Sequence, residues 1–359
     1  MDIAVIEGDG VGPEVVGESL KVLKAIGEKY GLEYSVTKIP IGADHFLETG
    51  TAFPSEIIED LKMNYSAVLF GTVGDPRIKS NEYMIQMNSM LKQKLDLHIN
   101  FRPVKLMDQS CCPLKGVKEE HINFTFFSEE AEGVSPESGV VLKKDLGDEI
   151  ALENCIYTRV GAERIIRAAF EYADHNGMQK VTMCDNGNVM KVAADLWQRI
   201  FDQIGREYPH IERENVLIQS LSVELIKNPE RFQVIVINGL FSTIVSDMAS
   251  QLQGGLGLGI SANINQESGL KGLYKPLHGS EVEITGKRIA NPMASILSLA
   301  LLLEHQGYIN EAFDIRNAVK QTLKKHVVTP DLYGTYSSKQ VGKEIRKTIA
   351  NCDHICIQK

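Results

Sequence analysis

Positive charge is scarce in this chain: 38 lysines and arginines face 47 aspartates and glutamates, a net charge of −9. Nucleic acids and anionic lipid surfaces are held by basic patches that release counterions or meet headgroups. The balance therefore excludes a nucleic-acid binder and a membrane-surface protein. Long apolar runs are also missing. The most hydrophobic helical stretch, Met293 to Leu303, is about half the roughly 20 residues a bilayer span needs, so it is expected to be a core helix. Met1–Gly10 reads as a strand entering a turn, not as a secretory leader, and the expectation is a soluble, cytoplasmic protein. Cysteine is sparse, with six residues at Cys111, Cys112, Cys155, Cys184, Cys352 and Cys356. Their spacing has no secreted-scaffold pattern. Cys352, His354 and Cys356 lack a second ligand pair and read as incidental rather than as a zinc site.

What is present is a chain of 359 residues, 43% hydrophobic, long enough for two lobes. Strand-like and helix-period segments alternate over most of it, which predicts an α/β fold with parallel strands and crossover helices. Ile3–Ile6 is the first expected strand, followed by a helix over Pro13–Tyr30 with Val16, Leu20 and Leu23 on one face and proline in its first turn. Ala67–Phe70 is another buried strand. It runs into Gly71-Thr72-Val73-Gly74-Asp75-Pro76, a glycine-rich turn at the strand's carboxyl end, where open α/β sheets place ligands. From Cys111 to Asp148 the pattern breaks into short extended runs, with a strand expected at Glu153–Thr158. Regular alternation returns with a helix over Ala162–Ala173, a strand over Lys180–Cys184, a helix over Val189–Ile204, and the strand Val234–Ile237 followed by helix Phe241–Leu252. The run Gly254-Gly255-Leu256-Gly257-Leu258-Gly259 has the look of a dinucleotide fingerprint, but it follows a helix and does not open one. It reads as an interdomain passage.

Five blocks carry a resemblance: Glu7-Gly8-Asp9-Gly10-Val11-Gly12-Pro13-Glu14, Leu97-His98-Ile99-Asn100-Phe101-Arg102-Pro103-Val104-Lys105, Tyr157-Thr158-Arg159, Asn188-Val189-Met190-Lys191 and Ser246-Asp247. With the longest block, His278 to Pro292, they resemble the isocitrate/isopropylmalate dehydrogenases, the β-decarboxylating family, in order and spacing from end to end. The isocitrate branch is the nearer match, through Asn88, Leu91, Gln93, Leu95 and Asp96 and through Gln253–Gly257 with Ser261–Ile264. The resemblance implies that family's two-domain α/β fold with a discontinuous large domain, here 1–97 and 254–359, around a smaller dimerisation domain, 98–253. It implies a homodimer with each cleft completed by the other chain; a hetero-oligomer with an active relative is the other possibility. It also implies a cofactor cradle from Gly71, Gly74, His278, Gly279, Ser280, Glu283, Ile284 and Asn291. An acidic group at Glu283, longer than the family's usual aspartate, would accept from the ribose hydroxyls and repel a 2′-phosphate, favouring NAD over NADP. A purely structural turn is the competing reading of that loop.

The same resemblance implies a set of catalytic side chains, and this chain departs from most of it. Of three arginines that fork onto substrate carboxylates only Arg102 is present; Lys92 and Ser128 occupy the other places, and lysine lacks the bidentate fork. Asn88, Lys92 and Arg102 are the expected substrate contacts. The acid tyrosine is replaced by Ser135 and the base lysine by Asn186; an amide takes no proton at neutral pH. The metal aspartates correspond to Gln219, Thr243 and Asp247, one carboxylate where a hard cation would use three, so a magnesium or manganese site is doubtful. Lys191 is the nearest replacement base, or else a solvated helix residue. Glu129, Glu130 and Glu132 are expected to form an acidic wall at the cleft mouth or a plain solvated loop. Three functions remain open: a nucleotide-binding homologue without decarboxylating activity, which is favoured; an NAD-linked oxidoreductase for a smaller hydroxy compound; and an ordinary family enzyme with compensating residues.

Overall fold

The computed structural model of the chain describes residues 1–134, 139–265 and 267–351. Fourteen strands occur among them: β1 Asp2–Gly8, β2 Ser35–Lys38, β3 Ala67–Thr72, β4 Ile99–Lys105, β5 Asn123–Glu129, β6 Gly133–Val134, β7 Val140–Leu142, β8 Ile150–Leu152, β9 Cys155–Ile156, β10 Lys180–Asp185, β11 Glu212–Leu217, β12 Val234–Asn238, β13 Ile260–Ile264 and β14 Gly272–Pro276. Ten of them form one sheet in the order β11-β10-β12-β5-β4-β13-β14-β3-β1-β2. All five strands drawn from residues 99–238 lie on one side of that sheet, and all five from 2–72 and 260–276 on the other. The outer pairings are parallel, as the alternating strand and helix segments predict. The pairings of β4 with β5 and β13, and of β13 with β14, are antiparallel.

The strands are apolar on both faces because helices cover both. Val68, Leu69 and Phe70 of β3 and Val234, Ile235, Val236 and Ile237 of β12 are buried, the continuous runs expected of parallel strands. The helix Gly12–Tyr30 starts directly beyond the β1 turn with Pro13 in its first turn and ends on Gly31 in the left-handed conformation. It buries Val15, Val16, Val22, Leu23 and Ile26. Ser19 is its buried hydroxyl, and it bonds Ser295 Oγ at 2.8 Å on the helix Met293–His305. Every residue from Met293 to Leu303 is buried, so that stretch is the core helix its length predicted. Among the described residues no helix is long and apolar enough to cross a membrane.

The strand expected over Glu153–Thr158 is only Cys155–Ile156. Thr158 ends it by capping the helix Arg159–His175, its hydroxyl accepting from Gly161 N at 3.0 Å. The irregular middle folds as nested hairpins, β6 with β9 and β7 with β8. Seven apolar side chains of this arm face outward: Val140, Val141, Leu142, Leu146, Ile150, Leu152 and Ile156, between 43% and 60% exposed. Exposed apolar area of this extent on a small hairpin arm marks a surface built to be covered.

Candidate functional site

Two cavities bear on function. The first is a polar cleft of about 470 Å³ lined by Asn88, Lys92, Arg102, Glu130, Thr243, Asp247 and Lys275 among others. Asn88 and Lys92 lie four residues apart on the helical segment 82–94, which carries one π-type turn at Gln86–Met90. Such turns distort the helix and are frequent at functional sites. Arg102 comes from β4, Glu130 from just beyond β5, Thr243 and Asp247 from the helix Gly239–Ser250, and Lys275 from β14. The three predicted substrate contacts are thus brought together.

Two cations of this cleft, Lys92 and Arg102, are already engaged. Lys92 Nζ lies 2.5 Å from Glu130 Oε2, and Arg102 Nη2 lies 3.6 Å from Glu130 Oε1. The guanidinium also donates to Asn100 Oδ1 at 2.8 Å, Ser246 Oγ at 2.7 Å and Asp247 Oδ1 at 3.1 Å. Asn263 Nδ2 adds a contact to Glu130 at 3.4 Å. Burial alone would raise the Glu130 carboxyl, but Lys92 and Arg102 override it and hold it at about 2, so it is ionised. The Asp247 carboxyl is pushed up by burial, with Arg102 opposing.

Ser128 is buried behind Arg102, its hydroxyl donating to Asn100 Oδ1 at 3.4 Å. It offers the cleft no charge. The three glutamates do not act as one wall. Glu129 is buried against Arg164 at 2.5 Å, Glu130 bridges the cleft cations, and Glu132 lines the cleft while accepting from Thr158 N at 2.7 Å. Glu130 and Glu132 line the cleft, as an acidic wall would, whereas Glu129 turns away to Arg164; none of the three stands exposed as a plain solvated loop would have it.

Asn186, Lys191 and Gln219 are not among the residues lining the cleft. Asn186 forms the turn after β10, its carbonyl accepting from Val189 N at 3.0 Å and Met190 N at 2.8 Å. Lys191 stands exposed at the start of the helix Lys191–Gly205, and Gln219 is exposed on the helix Ile218–Lys227. Ser135 lies outside the described residues. The question of a divalent metal turns on Asp247, Thr243 and Gln219. Asp247 is committed to Arg102, Thr243 offers a hydroxyl, and among the described residues no group of three His, Cys, Asp or Glu could hold a metal ion. Hard cations take six or more oxygens, several of them carboxylate.

Sequence reasoning missed Lys275. Among the described residues its ammonium has a single hydrogen bond, to Asn88 Oδ1 at 3.3 Å, and it sits 5.8 Å from the Phe70 ring centroid. Burial, then the charges of Lys92 and Arg102, pull it down to about 7, with Glu130 and Asp247 opposing. The signal was an amine three residues before His278, in a segment that otherwise reads as an apolar strand.

The second cavity, about 550 Å³, is lined by His278, Glu281, Ile284, Asn291, Asp331 and the glycine-rich passage Gly254–Gly257 among others. The passage leads into β13, not into a helix. His278 is lowered by burial, with a backbone bond to Gly279 O opposing, and its Nε2 is buried with no partner among the described residues. A buried, neutral imidazole nitrogen without a partner is a group waiting for a polar ligand. Asn291 is held by Asp331 at 2.9 Å and by Met293 N at 3.0 Å. Gly279, Ser280 and Glu283 belong to the same loop but do not line the cavity; Glu281 is the glutamate that does.

Behind the loop, Gly10 and Gly74 let three segments meet. Val11 N donates to Ser280 O at 2.9 Å, and a Cβ on Gly10, whose φ is +59°, would lie 2.0 Å from that oxygen. Gly74, φ +133°, leaves room for Ser280 Oγ and donates its N–H to Asp9 Oδ2 at 2.8 Å. Gly71 lies within β3, where a Cβ would strike Glu7 O. Gly10 and Gly74 thus shape the loop from behind, whereas Gly71 packs against β1.

Comparison with known proteins agrees with this architecture. Residues 2–346 match the isocitrate/isopropylmalate dehydrogenase family. The chain belongs to that family. It is 36% identical over 348 residues to the 3-isopropylmalate dehydrogenase of Thermobifida fusca (strain YX), covering 97% of each chain. It is 35% identical over 360 residues to the tartrate dehydrogenase/decarboxylase of Pseudomonas putida, 98% of each. Among solved structures, isocitrate dehydrogenase from Methylococcus capsulatus superposes with a TM-score of 0.86 at 31% identity, over 97% of this chain and 99% of that one. Both branches of the family are represented among these relatives.

Proposed function

We propose that this chain is an NAD-binding member of its family that does not carry out metal-assisted oxidative decarboxylation and serves a regulatory or structural role. One observation carries the reading: Glu130 closes on Lys92 and Arg102 while Asp247, the lone carboxylate at the metal positions, is spent on Arg102. A polyanionic substrate would have to displace two carboxylates to reach the cations, and no carboxylate set waits for a divalent ion. With NAD and magnesium, the purified protein is expected to form no NADH from 3-isopropylmalate, isocitrate or tartrate. Turnover at ordinary enzyme rates overturns the proposal.

The second cavity supports nucleotide binding. His278 Nε2 and Asn291 provide polar groups, and Ile284, Ile289 and Leu256 provide apolar walls of the kind an adenine ring packs against. The carboxylate of Glu281, which lines this cavity, disfavours a 2′-phosphate, hence NAD over NADP. When bound, the nicotinamide would supply hydride exchange.

A second reading, an NAD-linked oxidoreductase for a smaller hydroxy compound, is favoured by Lys275, an amine close to neutrality beside Arg102. Absence of NADH across a panel of hydroxy acids and alcohols ends it. We further infer two lobes, 1–97 with 254–359 and 98–253, a reading supported by the grouping of strands on the two sides of the sheet, and a homodimer joined through the apolar hairpin arm, with each cleft completed by the other chain.

A further inference from the structure

We propose that Lys275 is a carbonyl-reactive amine, which condenses in this cleft with the keto group of a 2-oxo acid and supplies as an iminium the electron sink that a metal would otherwise provide. Placement is the first argument. Lys275 lines the same cleft as Lys92 and Arg102, so a small oxo acid entering the cleft meets this amine while the other two cations stay paired with Glu130 and Asp247. The two carboxylates facing the amine are taken: Glu130 by Lys92 at 2.5 Å and Arg102 at 3.6 Å, Asp247 by Arg102 at 3.1 Å. Lys275 itself has no ion pair among the described residues, only Asn88 Oδ1. An amine crowded by cations and withdrawn from water loses its proton readily, the environment that lysine nucleophiles use. Its titration near 7 agrees with the placement, leaving much of the amine neutral at physiological pH.

The chemistry balances without an oxidant. The Nζ lone pair attacks the keto carbon, the oxygen leaves as water after protonation, and an iminium remains. The one proton this needs beyond the amine's own comes from water in the open cleft. If the oxo acid carries a carboxylate on C3, the electron pair of the bond to that carboxylate flows into the iminium. Carbon dioxide then departs and an enamine forms. Protonation at C3 and hydrolysis return the shortened oxo acid and the free amine. No nucleotide takes part, so this proposal stands or falls separately from NAD binding.

The full-length protein, in EDTA at about pH 7, is treated with pyruvate or oxaloacetate and cyanoborohydride, and the reduced adducts are mapped by peptide mass spectrometry. The expected result is an adduct concentrated at Lys275, at least tenfold above any exposed lysine. In parallel, oxaloacetate loses carbon dioxide at least tenfold faster with wild-type protein than with Lys275→Arg or Lys275→Gln. Labelling at Lys275 no greater than at surface lysines overturns the proposal, and this readout needs no folded variant. Equal decarboxylation by wild type and both variants removes its lyase step.

Discussion

Replacing Glu130 by glutamine tests the cleft's charge arrangement. The folded carboxyl titrates at about 2 against an ordinary 4.5. At roughly 1.4 kcal/mol per pH unit, that difference is worth about 3 kcal/mol of folding stability at neutral pH. Because the folded pKa lies below the unfolded one, this contribution is complete above about pH 4.5 and is lost as pH falls toward 2. Glu130→Gln also leaves Lys92 and Arg102 facing each other across a partly buried cleft, where an unpaired charge is costly. The expected result is a loss of about 2–4 kcal/mol in urea unfolding near pH 7, a gap that narrows by about 1–1.5 kcal/mol near pH 3.5. The variant gains one net positive charge in the cleft and is expected to bind dicarboxylates more tightly than wild type in calorimetry. A variant as stable as wild type at neutral pH, with the same dicarboxylate affinity, would refute the view that Glu130 neutralises the clamp.

Three further outcomes are expected. Gly10→Ala forces a Cβ onto Ser280 O at a left-handed φ; it should cost about 2 kcal/mol or more in thermal or urea unfolding and weaken nucleotide binding, since the displaced loop carries His278. Lys275 titrates in the folded chain at about 7 against 10.5, so the unfolded chain binds more protons between those values and stability rises with pH there. Lys275→Met should flatten that rise by roughly 2 kcal/mol once solvent screening is allowed for, read from urea midpoints near pH 7 and pH 10. Ile156→Asp places a charge on the exposed apolar arm and is expected to shift sedimentation from dimer toward monomer, whereas an unchanged sedimentation coefficient would remove the arm from the interface.

Much of the scaffold was legible because its signals are local. Apolar runs such as Val234–Ile237, prolines in first turns, and glycines beside strand ends each fix their own element, and the order of blocks fixed the family. Asn88, Lys92 and Arg102, named as substrate contacts, and Asp247, named as a metal position, were picked out by spacing inside recognisable blocks, and they line one cleft. The pairing among them was not legible. Glu129 and Glu130 are neighbours in sequence, yet one meets Arg164 and the other Lys92, which only the strand's direction and its neighbours decide. Lys275 escaped notice because its character comes from Lys92 and Arg102, residues more than 170 positions away. The expected strand over Glu153–Thr158 failed at its end, where the Thr158 side chain serves the following helix.

The account depends most on the cleft having no carboxylate set for a divalent ion. Titration of the protein with manganese, followed by the loss of free-ion paramagnetic resonance signal in the presence of NAD and isocitrate, measures this directly. Weak binding, no tighter than roughly millimolar, is the expected result; one tightly held manganese per cleft, dependent on Asp247, would contradict it.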